Sequence, residues 1–377
     1  MYWCRRPRVL EAAACHGNHS ATTISCATLA ALSSAAIMYL QHPPASGSGA
    51  RGVPAAEAVP IAPVQKGGKL DAQSQHNSTW RPLPRTVAEA ATSIGAEMLG
   101  MDLGLASSNR GGKILPEDSA LLRQALRERR VVRVPDTVLD GAPAFERICR
   151  VFGDSLQPVS ASGNAVQLYI VQNRNSAAEA KRPSDEWHSD LSYLARPASA
   201  TVLYAIEVPK DVDGQSQGDT LFVDMVAAYE ALPADRQQRL CRMRGLHRHP
   251  SASDSQNPQL RPGQSDVTSH PMVVQTQAYR DAQTSVARAL FINPAYTFGI
   301  RNEDGSIVED EEQLLHDLVT HCLQPQFMLR LRWKVGALVV WDNSALWHRA
   351  TTLEMAPSAH KQRRVMFRAS VLCDSPL

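Results

Sequence analysis

His188 and Asp190 lie two residues apart, and a second histidine, His348, and an arginine, Arg364, follow far along the chain. Two imidazoles and one carboxylate can occupy one face of an Fe(II) ion and leave the opposite face open for a cosubstrate and O2. Residues i and i+2 of a strand project from the same face, so the spacing predicts that His188 and Asp190 reach one metal from one strand. His348 then has to come from a distant strand that folds back beside the first. On its own the pair carries little weight. In a chain with 12 histidines about half a chance His-x-Asp match is expected. Without further context His188 reads as an ordinary strand histidine and Asp190 as a cap or turn residue.

The surroundings change that balance. The first block reads Asp185-Glu186-Trp187-His188-Ser189-Asp190-Leu191-Ser192-Tyr193. Next comes Gly218-Asp219-Thr220-Leu221-Phe222-Val223-Asp224-Met225. A third block is Trp341-Asp342-Asn343-Ser344-Ala345-Leu346-Trp347-His348, and the fourth is Arg363-Arg364-Val365-Met366-Phe367-Arg368. In this order the blocks resemble the TauD/TfdA family of Fe(II)- and 2-oxoglutarate-dependent dioxygenases. The resemblance covers residues 92–377 and leaves the first 85 outside it.

What the resemblance implies is specific. His188, Asp190 and His348 are the implied iron ligands. Arg364 is implied to bind the distal carboxylate of 2-oxoglutarate, with Thr220 assisting from another strand. A dicarboxylate deep in a barrel needs a fixed cation, and a guanidinium meets a carboxylate with two parallel hydrogen bonds. Arg363 is the neighbouring candidate, but strand alternation turns it away if Arg364 and Arg368 point inward. Arg368, on the same strand face as Arg364, matches an arginine that holds the substrate's anion in relatives acting on sulfonates or aryloxy acids. A second buried cation is costly without an anion to pair with.

The chain also departs from the taurine enzymes. Gln157-Pro158-Val159-Ser160 and Ser184 stand where those enzymes carry taurine contacts, which argues against taurine. Extra residues fall at 213–217 and 353–360. The expected reaction is hydroxylation of a small organic acid, carboxylate or sulfonate, with 2-oxoglutarate and O2 consumed and succinate and CO2 released. Two other readings stay open: a catalytically silent metal-binding interaction protein, and a 2-oxoglutarate-independent dioxygenase on a cupin barrel. The intact triad and arginines argue against the first, Arg364 with Thr220 argues against the second, and succinate release separates the two enzymes.

The elements that must position these residues can be read in outline. Apolar spacing predicts helices over residues 115–130, 144–152, 227–240 (interrupted at Pro233) and 311–323. Strands are expected over 131–134, 166–171, 200–208, 220–223, 289–292 and 364–372. Phe327, Leu329, Leu331 and Trp333 alternate with Met328, Arg330 and Arg332, a half-buried strand. Lys334-Val335-Gly336 then reads as a turn into a return strand over 337–341. Strands and helices without a regular βαβ rhythm fit a mainly β fold with flanking helices. The resemblance implies the same: a double-stranded β-helix, a cupin-like jelly roll. Residues 251–266 are polar and Pro-bearing and read as a long loop or lid. His247, His249, His270 and His321 have no carboxylate at useful spacing and read as structural or surface residues.

Composition bounds the rest. A net charge of +2 gives no reason to expect nucleic-acid binding. The seven cysteines form no CxxC pair, so neither a zinc framework nor a disulfide scaffold is expected. Residues 1–56 contain one acidic residue, Glu11, after which an Ala/Ser/Thr-rich stretch runs to Ala50. That profile favours an organelle transit segment over residues 1–42, mitochondrial or plastid. The competing reading is a membrane anchor over 21–40, which Thr22, Thr23, Ser25, Thr28, Ser33 and Ser34 weaken. A cytoplasmic protein is the third option. Residues 43–85 read as a flexible linker and 86–377 as the dioxygenase domain. The expected partner is a small anionic molecule, and the sequence leaves a homo-oligomer open.

Overall fold

The computed structural model describes residues 78–83, 93–101, 103, 113–158, 165–172, 186–211, 216–249, 267–276, 287–351 and 363–374. Every described residue lies in one compact unit, Gln73–Leu377. The expected transit segment, the loop at 251–266, the extra residues 353–360 and most of those at 213–217 lie outside the described residues. Among the described residues no helix is long and apolar enough to cross a membrane.

In chain order the strands are β1 (Thr79–Pro82), β2 (Ala96–Leu99), β3 (Val131–Val134), β4 (Gln167–Gln172), β5 (Ala198–Glu207), β6 (Thr220–Asp224), β7 (Met243–Arg248) and β8 (Val267–Pro271). They continue as β9 (Val273–Gln275), β10 (Arg288–Leu290), β11 (Thr297–Asn302), β12 (Met328–Leu331), β13 (Leu338–Asp342), β14 (Leu346–Ala350) and β15 (Arg363–Leu372). The helices are α1 (Pro116–Arg129), α2 (Gly141–Cys149), α3 (Met225–Glu230), α4 (Ala234–Leu240) and α5 (Glu311–Cys322). A seven-stranded sheet runs β1-β2-β3-β13-β5-β15-β4, and three-stranded sheets run β12-β6-β14 and β11-β7-β8. The expected mainly β jelly roll with flanking helices is what forms.

The large sheet is apolar on both faces because each face meets a core. Along β13, Leu338 and Val340 belong to a cluster with Leu122 and Leu126 of α1 and Phe145 and Ile148 of α2. Val339 and Trp341 belong to a second cluster with Phe222 of β6 and Leu329 of β12. Period-two alternation therefore sends odd and even residues into different cores. In β15 the same rule places Phe367, Ala369 and Val371 against the helices and Met366 in the inter-sheet core. Arg364 and Arg368 share Met366's parity and so its inner face.

Several expectations change. Strands β12 and β13 do not form a hairpin: β12 pairs with β6, while β13 pairs with β3 and β5. The Lys334–Gly336 turn is a crossover between sheets. Gly336 has φ +78°, and a Cβ there would meet the Thr137 carbonyl at 3.3 Å, so the crossover needs glycine. The helix expected over 144–152 starts and ends three residues earlier. The segment 227–240 is two helices, with Pro233 at the cap of the second. Asp224 caps the first by accepting from the Val226 and Ala227 N–H groups, both at 3.1 Å.

The linker expected over 43–85 also ends too late, because strand β1 lies inside it. Residues 79–82 pair antiparallel with β2, Leu83 is buried at 5% exposure, and the Arg129 guanidinium sits 4.6 Å over the Trp80 ring. Burying Leu83 alone contributes about 1.5–3 kcal/mol. A chain beginning at Thr86 is therefore expected to melt below one beginning at Gln73. Equal melting temperatures for the two would contradict a structural role for β1.

Candidate active site

His188 and His348 face each other across a two-residue antiparallel bridge. His188 N–H donates to the His348 carbonyl at 3.1 Å, and His348 N–H donates back at 2.9 Å. His348 lies in β14, which pairs with β6 and places the ring between Trp341 and Phe222. Asp190 differs from its sequence expectation. It does not continue a strand with His188 but opens a turn, and Leu191 follows at φ +57°. A leucine in the left-handed region costs on the order of 1–3 kcal/mol and persists only where its surroundings over-determine it. Here they do. Ser189 Oγ donates to the Leu346 carbonyl at 2.8 Å, and Leu194 N–H closes on the Leu191 carbonyl at 2.9 Å.

The three side chains converge. One ligand atom from each of His188, Asp190 and His348 lies within 4.8 Å of the others, and all three residues are buried. The Nε2 atoms of His188 and His348 stand 3.5 and 3.6 Å from the two Asp190 oxygens. His188 Nδ1 is 2.8 Å from the Glu186 carbonyl, which takes its N–H and leaves the Nε2 lone pair toward Asp190.

The electrostatics suit a cation. Burial alone would raise the Asp190 carboxyl, but Arg368, then His348 and His188, outweigh it and hold the group well below the usual carboxylate range. Burial, reinforced by His188, holds His348 well below the usual imidazole range against the pull of Asp190. The site thus offers neutral imidazole nitrogen and an ionised carboxylate, a donor set that fits a divalent metal.

Thr220, Arg364 and Arg368 line the same cavity as the two histidines, with Leu203 and Trp341 as its apolar walls. Arg364 is 4% exposed, donates from Nη1 to the Gly218 carbonyl at 2.8 Å, and lies 5.6 Å over the Trp333 ring. Arg363 turns outward and pairs with Glu207 at 3.8 Å, as alternation requires. Thr220 Oγ1 accepts the Trp333 indole N–H at 3.0 Å. Arg368 Nη2 lies 2.6 Å from Asp190 Oδ1. It therefore already has an anion, and the burial argument by itself does not demand a bound substrate. A larger surface cleft of about 650 Å³, lined by Asp235, Arg239, Arg242 and Glu309 among others, contains none of these residues.

Sequence reasoning passed over the support behind this site. His247 and His270 are buried, at 0% and 1% exposure, with ring centroids 5.3 Å apart. His247 Nδ1 is 3.1 Å from Ser192 Oγ, to which Asn293 also donates at 3.0 Å. His270 Nε2 donates to the Leu194 carbonyl at 3.0 Å. Both histidines brace the turn that carries Asp190. No carboxylate marks them because their partners are the Ser192 and Thr297 hydroxyls and the Leu194 carbonyl.

Burial lowers both imidazoles from the ordinary 6.5, His247 to about 3 with His270 adding to the effect, and His270 to about 4. A histidine held neutral when folded contributes stability above pH 6.5 that is lost as acid protonates the unfolded chain first. The denaturation midpoint is therefore expected to fall between pH 7 and pH 5, and His247→Gln to flatten that fall. An unaltered slope in His247→Gln would remove this histidine from the account.

Comparison with known proteins points one way. The family model described as "Taurine catabolism dioxygenase TauD, TfdA family" matches residues 82–370. An alpha-ketoglutarate-dependent 2,4-dichlorophenoxyacetate dioxygenase of Cupriavidus pinatubonensis is 32% identical over 50% of this chain and 60% of its own length. An alpha-ketoglutarate-dependent sulfonate dioxygenase of Saccharomyces cerevisiae is 31% identical over 50% of this chain and 44% of its own. The matched part of the chain thus spans less than two thirds of these curated relatives. A solved taurine dioxygenase from Burkholderia xenovorans is 25% identical with a TM-score of 0.58, covering 80% of this chain and 92% of its own.

Proposed function

Because the chain belongs to the TauD/TfdA family, we propose that it is an Fe(II)- and 2-oxoglutarate-dependent dioxygenase hydroxylating a small organic acid, carboxylate or sulfonate. The observation that carries this reading is the convergence of His188, Asp190 and His348 to within 4.8 Å. Arg364 and Thr220 line the same cavity. When bound, Fe(II) supplies the oxidative chemistry: one 2-oxoglutarate and one O2 become succinate, CO2 and one oxygen atom inserted into a C–H bond of the substrate.

The chain's own groups bind and orient. His188 and His348 offer imidazole nitrogens, and Asp190 offers the negative charge. Arg364, fixed by Gly218 and Trp333, is the cation for the distal carboxylate of 2-oxoglutarate. The Trp333 indole can only donate, so Thr220 accepts from it and keeps its own proton for a carboxylate oxygen. Leu203 and Trp341 give the cavity apolar walls that disfavour water. Arg368 is the anchor for the substrate's anion, because it lines the cavity beside the histidines while one of its nitrogens is held by Asp190.

The test is a panel of carboxylates and sulfonates followed by mass spectrometry, looking for the gain of one oxygen with matching succinate. Arg368→Leu is expected to keep 2-oxoglutarate affinity while succinate outruns hydroxylated product. Loss of 2-oxoglutarate binding in that variant, or a neutral substrate, would remove Arg368 from the anchoring role. Metal binding without succinate from any acid would return the choice to the silent or the 2-oxoglutarate-independent protein.

A further inference from the structure

Asp190 is held by more than the two histidines and Arg368. Thr201, on β5 and fully buried, has its Oγ1 2.6 Å from Asp190 Oδ2. Asn343 occupies the turn between β13 and β14. Its Oδ1 accepts the Asp190 backbone N–H at 3.2 Å and the Trp341 indole N–H at 3.1 Å. Both of those groups donate and cannot accept, so the orientation of the amide is determined by its neighbours. Asn343 Nδ2 therefore faces Thr201 Oγ1, 2.9 Å away, as a donor. Thr201 accepts from Asn343, and its one proton goes to the carboxylate. Ser370 Oγ, at 3.5 Å, is the more distant neighbour. The chain of bonds has one direction, from Asn343 through Thr201 to Asp190.

We propose that Thr201 and Asn343 are positioning residues that fix the rotation of the Asp190 carboxylate about its own axis. The proposal rests on the reading of His188, Asp190 and His348 as the metal site. With Arg368 on Oδ1 and Thr201 on Oδ2, the carboxylate presents itself to a metal in one orientation. Released, it can turn both oxygens to the ion, as carboxylates do in mono- or bidentate ligation, and take a coordination position that a 2-oxo acid needs. Asn343 also anchors the Asp190 backbone, so one side chain holds both the main chain and the rotation of the ligand.

Thr201→Val removes the hydroxyl at nearly constant volume. In the full chain, the Mn(II) dissociation constant measured by titration calorimetry is expected to rise about 10- to 100-fold, the usual effect of losing a hydrogen-bond partner of a metal ligand. Thr201→Ser is expected to restore it. Ser199→Ala, which removes a 3.1 Å bond to the Val371 carbonyl from the same strand, is expected to leave it unchanged. If Thr201→Val does not fold, Thr201→Ala is read in its place against Thr201→Ser. An unchanged Mn(II) dissociation constant on loss of the hydroxyl, or an equal rise in Ser199→Ala, overturns the proposal. Asp190→Ala separates the two levels of the argument. Wild-type Mn(II) binding in that variant means the metal-site reading itself has failed. Loss of binding there with unchanged binding in Thr201→Val sinks the positioning role alone.

Discussion

His348→Ala is expected to reduce turnover to background and to remove tight binding of a divalent metal. The imidazole lies against Trp341, Phe222 and His188, with Nε2 3.6 Å from Asp190. No other described histidine, cysteine or carboxylate joins the group, so no neighbour can substitute. Backbone pairing of residue 348 to His188 does not use the side chain, and the variant is expected to fold. Measurement of bound iron, circular dichroism and succinate formation on one preparation distinguishes the outcomes. A folded variant with full metal content and full turnover would refute the assignment of all three ligands, because they were assigned as one constellation.

Arg364→Ala is expected to weaken 2-oxoglutarate binding by about 2–5 kcal/mol, the usual loss when one partner of a buried charge pair is removed. That corresponds to a dissociation constant raised roughly 30- to several-thousand-fold, at about 1.4 kcal/mol per tenfold. Thr220→Ala removes one hydrogen bond and is expected to cost about 0.5–1.5 kcal/mol, close to tenfold at most. Arg363→Ala serves as the control. Its guanidinium is 40% exposed and paired at 3.8 Å with a half-exposed Glu207, so 2-oxoglutarate binding is expected to be unaffected. Should Arg363→Ala show the large effect and Arg364→Ala none, the two assignments would have to be exchanged.

The constellation was legible in the sequence because chemistry constrains it more tightly than geometry does. His188, Asp190, His348, Thr220 and Arg364 stand in ordered blocks of distinctive neighbours; the fold brings the first three together and sets Thr220 and Arg364 in the cavity that the two histidines line. The local form around Asp190 was not legible. A two-residue spacing suits a strand, but the segment takes a turn through Leu191, stabilised by contacts with residues more than 150 positions away. The same distance hid Thr201, which meets Asn343 across 142 residues. In the sequence Asp342 and Asn343 are only polar neighbours of His348, and the structure supplies their work: Asp342 Oδ1 accepts from Ser344 N–H at 2.8 Å to close the turn, and Asn343 secures Asp190. Strand β7 went unrecognised because its buried positions are Met243, Gly245 and His247. The alternation is present there, but it is not written in the usual apolar residues.

The placement of β15 has a consequence for how the protein is made. The last described strand is not an edge but an interior one, seated between β5 and β4. Strand β13 is likewise the link between β3 and β5. Until residues 338–342 and 363–372 have left the ribosome, the large sheet exists only as β1-β2-β3 and the unjoined strands β5 and β4. Strand β6 waits in the same way for β12 and β14. Synthesis is slow, on the order of 5–20 residues per second, so β5, with its apolar stretch Val202–Ile206, remains unpaired for seconds. Pairings of such large sequence separation are also intrinsically slow to close. Burial of β5 is therefore expected to wait until nearly the whole described chain has been made.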